Sequence, residues 1–334
     1  MQKPKKIIND PKAVVPELID GLVSAYHGKI KKLAGVGALV KTSLPAKKVG
    51  LLIGGGSGHE PLFGGVIGEN MADGAACGQI FAAPSPDIIL QTTRVLDQGS
   101  GVLYVYGNYA GDNMNFDIAA EMAAEEGITT RTVRIWDDVA SAPLDRVQDR
   151  RGIAGDLLVI KVAGGVSARV KDLAEVHRIS AKARDNTRSM GVALRAGSIP
   201  ETGEATFELP DDEIEIGMGL HGEPGVSREK MLPADTLVDR MITRLTADLP
   251  FQSGDEVCLL INDLGATTLM ELLIVNRRAH EILADQGIRI YDTIIGSYCT
   301  CQEMSGFSIT MMKLDAELKK YYDMPASSLG FTKN

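Results

Sequence analysis

The stretch 48–53, KVGLLI, followed by GGGSGHEP over 54–61, narrows the choice of fold more than any other. A short apolar run reads as a buried strand, and glycines directly after it read as a tight turn. Pro61, with mixed apolar residues behind it, suits the first turn of a helix. Strand, glycine turn and helix open a βα unit. The theme continues downstream. GVLYVY at 101–106 is a buried-type strand, followed by the loop NYAGD and a predicted helix over about 115–126. A strand is predicted over 130–135, ending in Trp136-Asp137-Asp138, and helices over 152–165 and 170–188. Upstream, Asn9-Asp10-Pro11 marks a helix start ahead of the apolar stripe Val15, Leu18, Leu22 and Tyr26. Strands alternating with helices predict a mostly parallel sheet covered on both faces.

The pattern changes after Arg188. Short strand-like runs at 191–194, 205–209 and 213–218 follow one another without helices, separated by turn residues such as Pro200, Gly203 and Pro210-Asp211-Asp212. A helix is predicted over 233–248, a strand over 256–261, a helix over 268–286, and closing strands over 288–296 and 307–313. Grouped strands with segregated helices predict an α+β domain. The expected division is therefore an N-terminal α/β domain at 1–188 and a C-terminal α+β domain at 189–334.

Charge narrows the function. Lys plus Arg total 35 against 44 Asp plus Glu, a formal charge of -9. A chain this acidic lacks the basic footprint of a nucleic-acid binder. Small anions remain open as ligands, because local dipoles bind them. No apolar run reaches transmembrane length and the basic N-terminus has no signal-peptide core, so no membrane span is expected. Four cysteines (77, 258, 299 and 301) suggest a reducing cytoplasm, and Cys299-Thr300-Cys301 without a second pair reads as ordinary strand rather than a metal site.

Three places could carry chemistry. The glycine turn would offer backbone N–H groups to a phosphate or another oxygen-rich ligand, although it lacks the Gly-Lys-Ser/Thr of a nucleotide loop. His59 lies in that turn, where ligands bind in open α/β sheets, and a helix N-terminus behind it would keep it a neutral base. Asp112 falls at the end of another strand, where a helix cap and a partner for an imidazole are both open readings. Asp137-Asp138 follows a third strand end; Mg²⁺ ligation is possible chemistry for such a pair, with a solvated cap as the default. His221 stands among glycines in GLHGEPG, in the other predicted domain. His27, His177 and His280 read as surface or packing residues of helices, and Trp136 as packing near the sheet edge.

Taken in order, GGGSGHEP, FAAPSPD, GNYAGDNMNF, DRRGIAG, GLHGEPG, NDLGAT and GSYCTCQEMSGFSIT make the chain resemble the dihydroxyacetone-binding K subunit of the dihydroxyacetone kinases. The resemblance covers nearly the whole length. It implies an N-terminal three-layer α/β/α domain, a C-terminal two-layer α+β domain and a homodimer. It implies that His221 bonds covalently to the carbonyl carbon of a short ketose as a hemiaminal. A neutral imidazole can add to a ketone but not to glycerol, so one bond separates substrate from polyol. By the same resemblance, His59 and Asp112 polarise the hydroxyl that attacks phosphorus, and Gly56, Ser57 and Gly58 line the ketose pocket. No cofactor and no metal are expected on this chain. ATP, or a tightly held ADP with Mg, belongs to a separate L subunit, and the ADP form would need a phosphocarrier protein as well.

One departure stands out. The family commonly has a lysine before N-Y-x-G-D, and this chain has Gly107. The missing ammonium could admit a larger ketose such as erythrulose, be replaced by another residue, or mark a non-catalytic ketose-binding co-regulator of a transcription factor. Kinase function ranks first because His59, Asp112 and His221 are all present.

Overall fold

The structure, a computed structural model, describes residues 5–33 and 37–334. The chain divides into two compact units, neither of them contiguous. One comprises Lys5–Ile135, Val159–Ala183 and Leu318–Asn334, the other Trp136–Leu158 and Arg184–Glu317.

In the first unit, helix α1 (Val14–Ala25) leads into strands β1 (Ile30–Lys32), β2 (Ala38–Lys41), β3 (Gly50–Ser57), β4 (Gly68–Glu69) and β5 (Gly74–Ile80). Helix α2 (Pro86–Leu96), strand β6 (Val102–Gly107), helix α3 (Ala110–Glu125) and strand β7 (Thr130–Ile135) follow. Among the described residues the sheet runs β1-β2-β5-β3-β6-β7. The four strands β5, β3, β6 and β7 are parallel; β2 runs antiparallel to them, and β1, antiparallel to β2, forms the edge. Leu52, Tyr104 and Tyr106 face one side, where they pack with Ile89, Leu96, Phe116 and Ala119 of α2 and α3. Their neighbours Leu51, Ile53, Leu103 and Val105 point the opposite way and are equally buried. The sheet is thus covered on both faces at its centre, which is why LLI of β3 and VLYVY of β6 read as continuous apolar runs.

The connection out of β3 leads to β5 on one side, whereas β6 leads to β7 on the other. The carboxyl ends of β3 and β6 therefore flank a topological switch point, where open α/β sheets place their ligands. The glycine turn does not open a βα unit as the sequence predicts. Residues 59–63 form a turn and a short 3-10 helix covers Gly64–Val66, so no α-helix separates β3 from β5. The helix dipole invoked for His59 is therefore absent.

Helix α4 (Gly155–Ser167) begins in the second unit and ends in the first, and α5 (Leu173–Asp185) follows it. The second unit then contributes β8 (Thr187–Arg195), β9 (Glu213–Ile216), β10 (Ser227–Lys230), α6 (Ala234–Asp248), β11 (Glu256–Asp263), α7 (Leu269–Asp285), β12 (Arg289–Gly296) and β13 (Ser305–Leu314). Its sheet runs β10-β9-β8-β13-β11-β12 and is mixed. Leu237, Met241 and Leu245 of α6, with Leu272, Val275 and Leu283 of α7, cover the face bearing Val192, Leu259, Ile261 and Ile309. A capping box of Thr268 and Glu271 starts α7. The run 205–209, expected as a strand, is a loop touching Ser198 by one bridge. Cys299 and Cys301 are buried in the connection before β13 rather than in a strand.

The chain closes with α8 (Ala316–Tyr322), β14 (Ala326–Ser328) and β15 (Thr332–Lys333). Strand β14 pairs with β4, which returns the C-terminus to the first unit. Residues 136–158 join the second because Val139 and Asp137 bond to Ser189 of β8: the Val139 N–H donates to the Ser189 carbonyl at 3.0 Å, and the Ser189 N–H to the Asp137 carbonyl at 2.7 Å. A single cut at 188/189 marks only one of the crossings, which fall at 135/136, 158/159, 183/184 and 317/318.

Candidate active site

In the first unit, the end of β3 is held by backbone approach. A Cβ on Gly56 would sit 2.7 Å from Ala82 N and 2.9 Å from Phe81 Cα, so only glycine lets these strand ends meet. Ser57 is buried and its hydroxyl donates to the Gly78 carbonyl at 2.7 Å, so this side chain ties β3 to β5. Gly58 takes φ +107°, and its N–H donates to the Glu60 carboxylate at 3.1 Å, closing the turn on itself. Burial pushes the Glu60 carboxyl above its usual range, against the pull of that N–H. His59 is 4% exposed, with its ring centroid 5.1 Å from that of Phe81.

Beside it, β6 ends in buried Gly107, paired with Ile135 of β7. The N-cap of α3 is Tyr109, not Asp112. Asp112 lies in the first turn of α3, near the positive end of the helix, and is 9% exposed. His59 and Asp112 thus stand off the carboxyl ends of adjacent strands, at the switch point.

The second unit holds His221. The loop around it is organised by Glu223, whose carboxylate accepts the His221 N–H at 2.8 Å and faces His221 Nδ1 at 3.1 Å. Burial works against ionisation of Glu223, but the bonds and charge of His221 outweigh it and hold the carboxyl down at about 2. An ionised carboxylate only accepts, so Nδ1 carries a proton, and in the neutral ring the lone pair lies on Nε2. The ring is 25% exposed. Gly222 needs its φ of +82° to turn the loop, and the Gly225 N–H is held by Glu215 at 2.8 Å.

The carboxylate pair is not a solvated cap. Asp137 is fully buried and accepts the N–H groups of Ile153 and Gly155, both at 2.9 Å, at the start of α4. Asp138 is fully buried against Arg151, and burial pushes its carboxyl up to about 6 despite that partner. No cluster of three metal-ligating side chains occurs among the described residues. His177 and His280 sit in helices, bonded to Thr132 and Thr293, whereas His27 lies in the turn after α1. Trp136 stacks under the Arg184 guanidinium, 3.7 Å from the ring centroid. Sequence reasoning missed Glu223 and Arg151 as organisers of the His221 loop. Their signal was two charges inside otherwise glycine-rich motifs.

Comparison with known proteins agrees with this architecture. The family model described as the Dak1 domain matches residues 20–330. The chain is 44% identical over 327 residues to the dihydroxyacetone-binding subunit DhaK of a PTS-dependent dihydroxyacetone kinase 2 from Listeria innocua, covering 97% of this chain and 98% of that protein. It is 36% identical to an L-erythrulose kinase from Pectobacterium atrosepticum, covering 98% of this chain but 56% of the relative. The crystal structure of the dihydroxyacetone kinase of C. freundii superposes with TM-score 0.90 at 32% identity, covering 98% of this chain and 60% of that one. The dihydroxyacetone kinase operon co-activator Dha-DhaQ superposes with TM-score 0.89 at 28% identity, covering 95% and 98%. No helix among the described residues is long and apolar enough to cross a membrane. With a family model spanning nearly its whole length and a crystal structure of the same fold, the chain belongs to the Dak1 domain family.

Proposed function

We propose that this protein is the ketose-binding subunit of a dihydroxyacetone-type kinase. The observation that carries the reading is the Glu223–His221 pair: Nδ1 is engaged by a carboxylate, so the nucleophilic lone pair is on Nε2. Addition forms an Nε2–C bond as the ketone's π pair moves to oxygen, which takes up a proton. The Nδ1 proton can leave by way of Glu223, so the hemiaminal is neutral overall. The carboxylate also stabilises positive charge developing on the ring in the transition state.

Asp112 and His59 then serve the free hydroxyl, accepting its proton as it attacks phosphorus. Phosphoryl transfer otherwise rests on positioning and on charge stabilisation by the donor's own metal. Gly56 and Gly58 shape the ketose pocket by bringing backbone close, and Gly107 leaves room where the family's lysine would reach. Ser57 contributes by anchoring the turn, since its hydroxyl is committed to Gly78. The donor is carried by a separate L subunit with ATP, or with ADP and a phosphocarrier protein, and the K-type subunit works as a homodimer in the cytoplasm.

The test mixes this protein with an L subunit and a phosphate source, and follows ketose phosphate from dihydroxyacetone and both enantiomers of erythrulose. Turnover of the triose supports the reading, and turnover of a tetrose alone makes the protein an erythrulose kinase subunit. Ketose capture with no turnover on any of the three, together with retention of a DNA-binding partner, would make it a co-regulator instead. Gly107 and the likeness to the co-activator structure favour including that outcome.

A further inference from the structure

The DRRGIAG motif has no role in the reaction as drawn, yet its second arginine reaches the His221 loop. Arg151 Nε and Nη2 donate to Asp138 Oδ2 at 3.1 and 2.8 Å, and Nη2 also donates to the Gly217 carbonyl at 3.2 Å. Asp138 is itself fixed by the Ala140 N–H at 3.0 Å. The guanidinium is thus held from behind by a fully buried carboxylate, and its Nη1 is left 3.9 Å from Glu223 Oε2. Gly219 shows that this approach is built into the chain. A Cβ there would fall 2.5 Å from Arg151 Nη1 and clash with Glu223 Oε2 as well.

We infer that Arg151 is a positioning residue for ketose capture: held by Asp138 and the Gly217 carbonyl, it aims Glu223 at His221 Nδ1. This rests on the proposed role of His221. Glu215, the other carboxylate of this loop region, is occupied by Arg228 of β10 at 2.9 Å and by the Gly225 N–H. Removing Arg151 therefore lets Glu223 leave Nδ1, and the ring loses the partner that fixes its tautomer. A side chain that only packs would be replaced equally well by methionine or lysine.

The experiment compares wild type with Arg151→Met, Arg151→Lys and the double variant Asp138→Asn/Arg151→Met, which removes both buried charges should the single change misfold. The position of the ring proton on His221 is read by ¹⁵N NMR of histidine-labelled protein without ketose, with His221→Ala assigning the signal, and capture of dihydroxyacetone is then measured. The share of the ring with its proton on Nδ1 is expected to fall in both Met variants and to stay near wild type in Arg151→Lys. Capture is expected to fall about tenfold in the Met variants and little in Arg151→Lys. An unmoved ring signal in the Met variants, or capture by Arg151→Lys no better than by Arg151→Met, overturns the inference. Absence of capture by wild type, with the ring signal still moving, overturns the proposed function while leaving the Arg151–Glu223–His221 arrangement in place.

Discussion

Gly219→Ala separates the chemistry of the His221 loop from its stability. Gly219 does not use the left-handed backbone region, so alanine fits its backbone. Such a change removes freedom from the unfolded chain and favours folding by about 0.4–1 kcal/mol. The new methyl collides with side-chain atoms rather than with backbone: the end of Glu223, and the guanidinium of Arg151 that Asp138 and the Gly217 carbonyl hold in place. Glu223 must retreat by about 1 Å to reach ordinary contact. Its bonds to His221, now 2.8 Å to N and 3.1 Å to Nδ1, cannot both survive that shift. A hydrogen bond to a charged group contributes about 1.5–3 kcal/mol, which corresponds to about 10- to 100-fold in the capture equilibrium. The assay is a ketose titration followed by native mass spectrometry, beside thermal and urea unfolding of the same variant. Expected are a folded variant destabilised by no more than about 3 kcal/mol, the range for overpacking, and capture weaker by at least about tenfold. Full capture in a stable Gly219→Ala variant would refute the claim that Glu223 positions the ring.

Three further outcomes follow from other parts of the molecule. Asp112→Asn keeps ketose capture and cuts phosphoryl transfer by about 10²–10⁴-fold in the L-subunit assay, the range for a general base; equal turnover would remove Asp112 from the chemistry. Gly107→Lys shifts the ratio of turnover toward dihydroxyacetone over erythrulose, and an unchanged ratio would separate pocket size from this position. Asp138 contributes a pH dependence of stability. Its folded value of about 6 lies above the ordinary 3.8, so its contribution is fully present below about pH 3.8 and is lost as pH rises through 6. Wild type should therefore lose stability relative to Asp138→Asn between pH 4 and 6, by about 3 kcal/mol at most, in urea unfolding; a constant difference would show that Arg151 cancels the burial.

Sequence pattern was most legible where one physical rule dominated. The apolar run 101–106 became β6 because both faces of the sheet are covered there, 130–135 became the half-buried edge strand β7, and the change to grouped strands after Arg188 became the second sheet. Strand β5, GAACGQI, gave no signal: its small residues are chosen for close packing against β3, not for hydrophobicity. Pro61 suggested a helix that does not form, because the chain folds back through a turn to reach β5. The first-unit boundary was hidden since segments far apart in sequence, 68–69 and 327–328, pair with each other. At the site, histidines and Asp112 stood out by type and place. Glu223 and Arg151 did not, because a charge in a polar loop looks solvated until its partners are known. Asp137 and Asp138 misled for the same reason: nothing local shows that N–H groups at 153 and 155 close over Asp137, or that Arg151 pairs with Asp138.

The central claim is that Nε2 of His221 bonds to a ketone carbon. Dihydroxyacetone labelled with ¹³C at its carbonyl reports this bond by NMR in the complex. The account predicts that the signal of bound ketose moves from the carbonyl region to that of a tetrahedral carbon, and that His221→Ala abolishes the shifted signal. A bound ketose whose carbon stays a carbonyl, or an identical shift in His221→Ala, would contradict it.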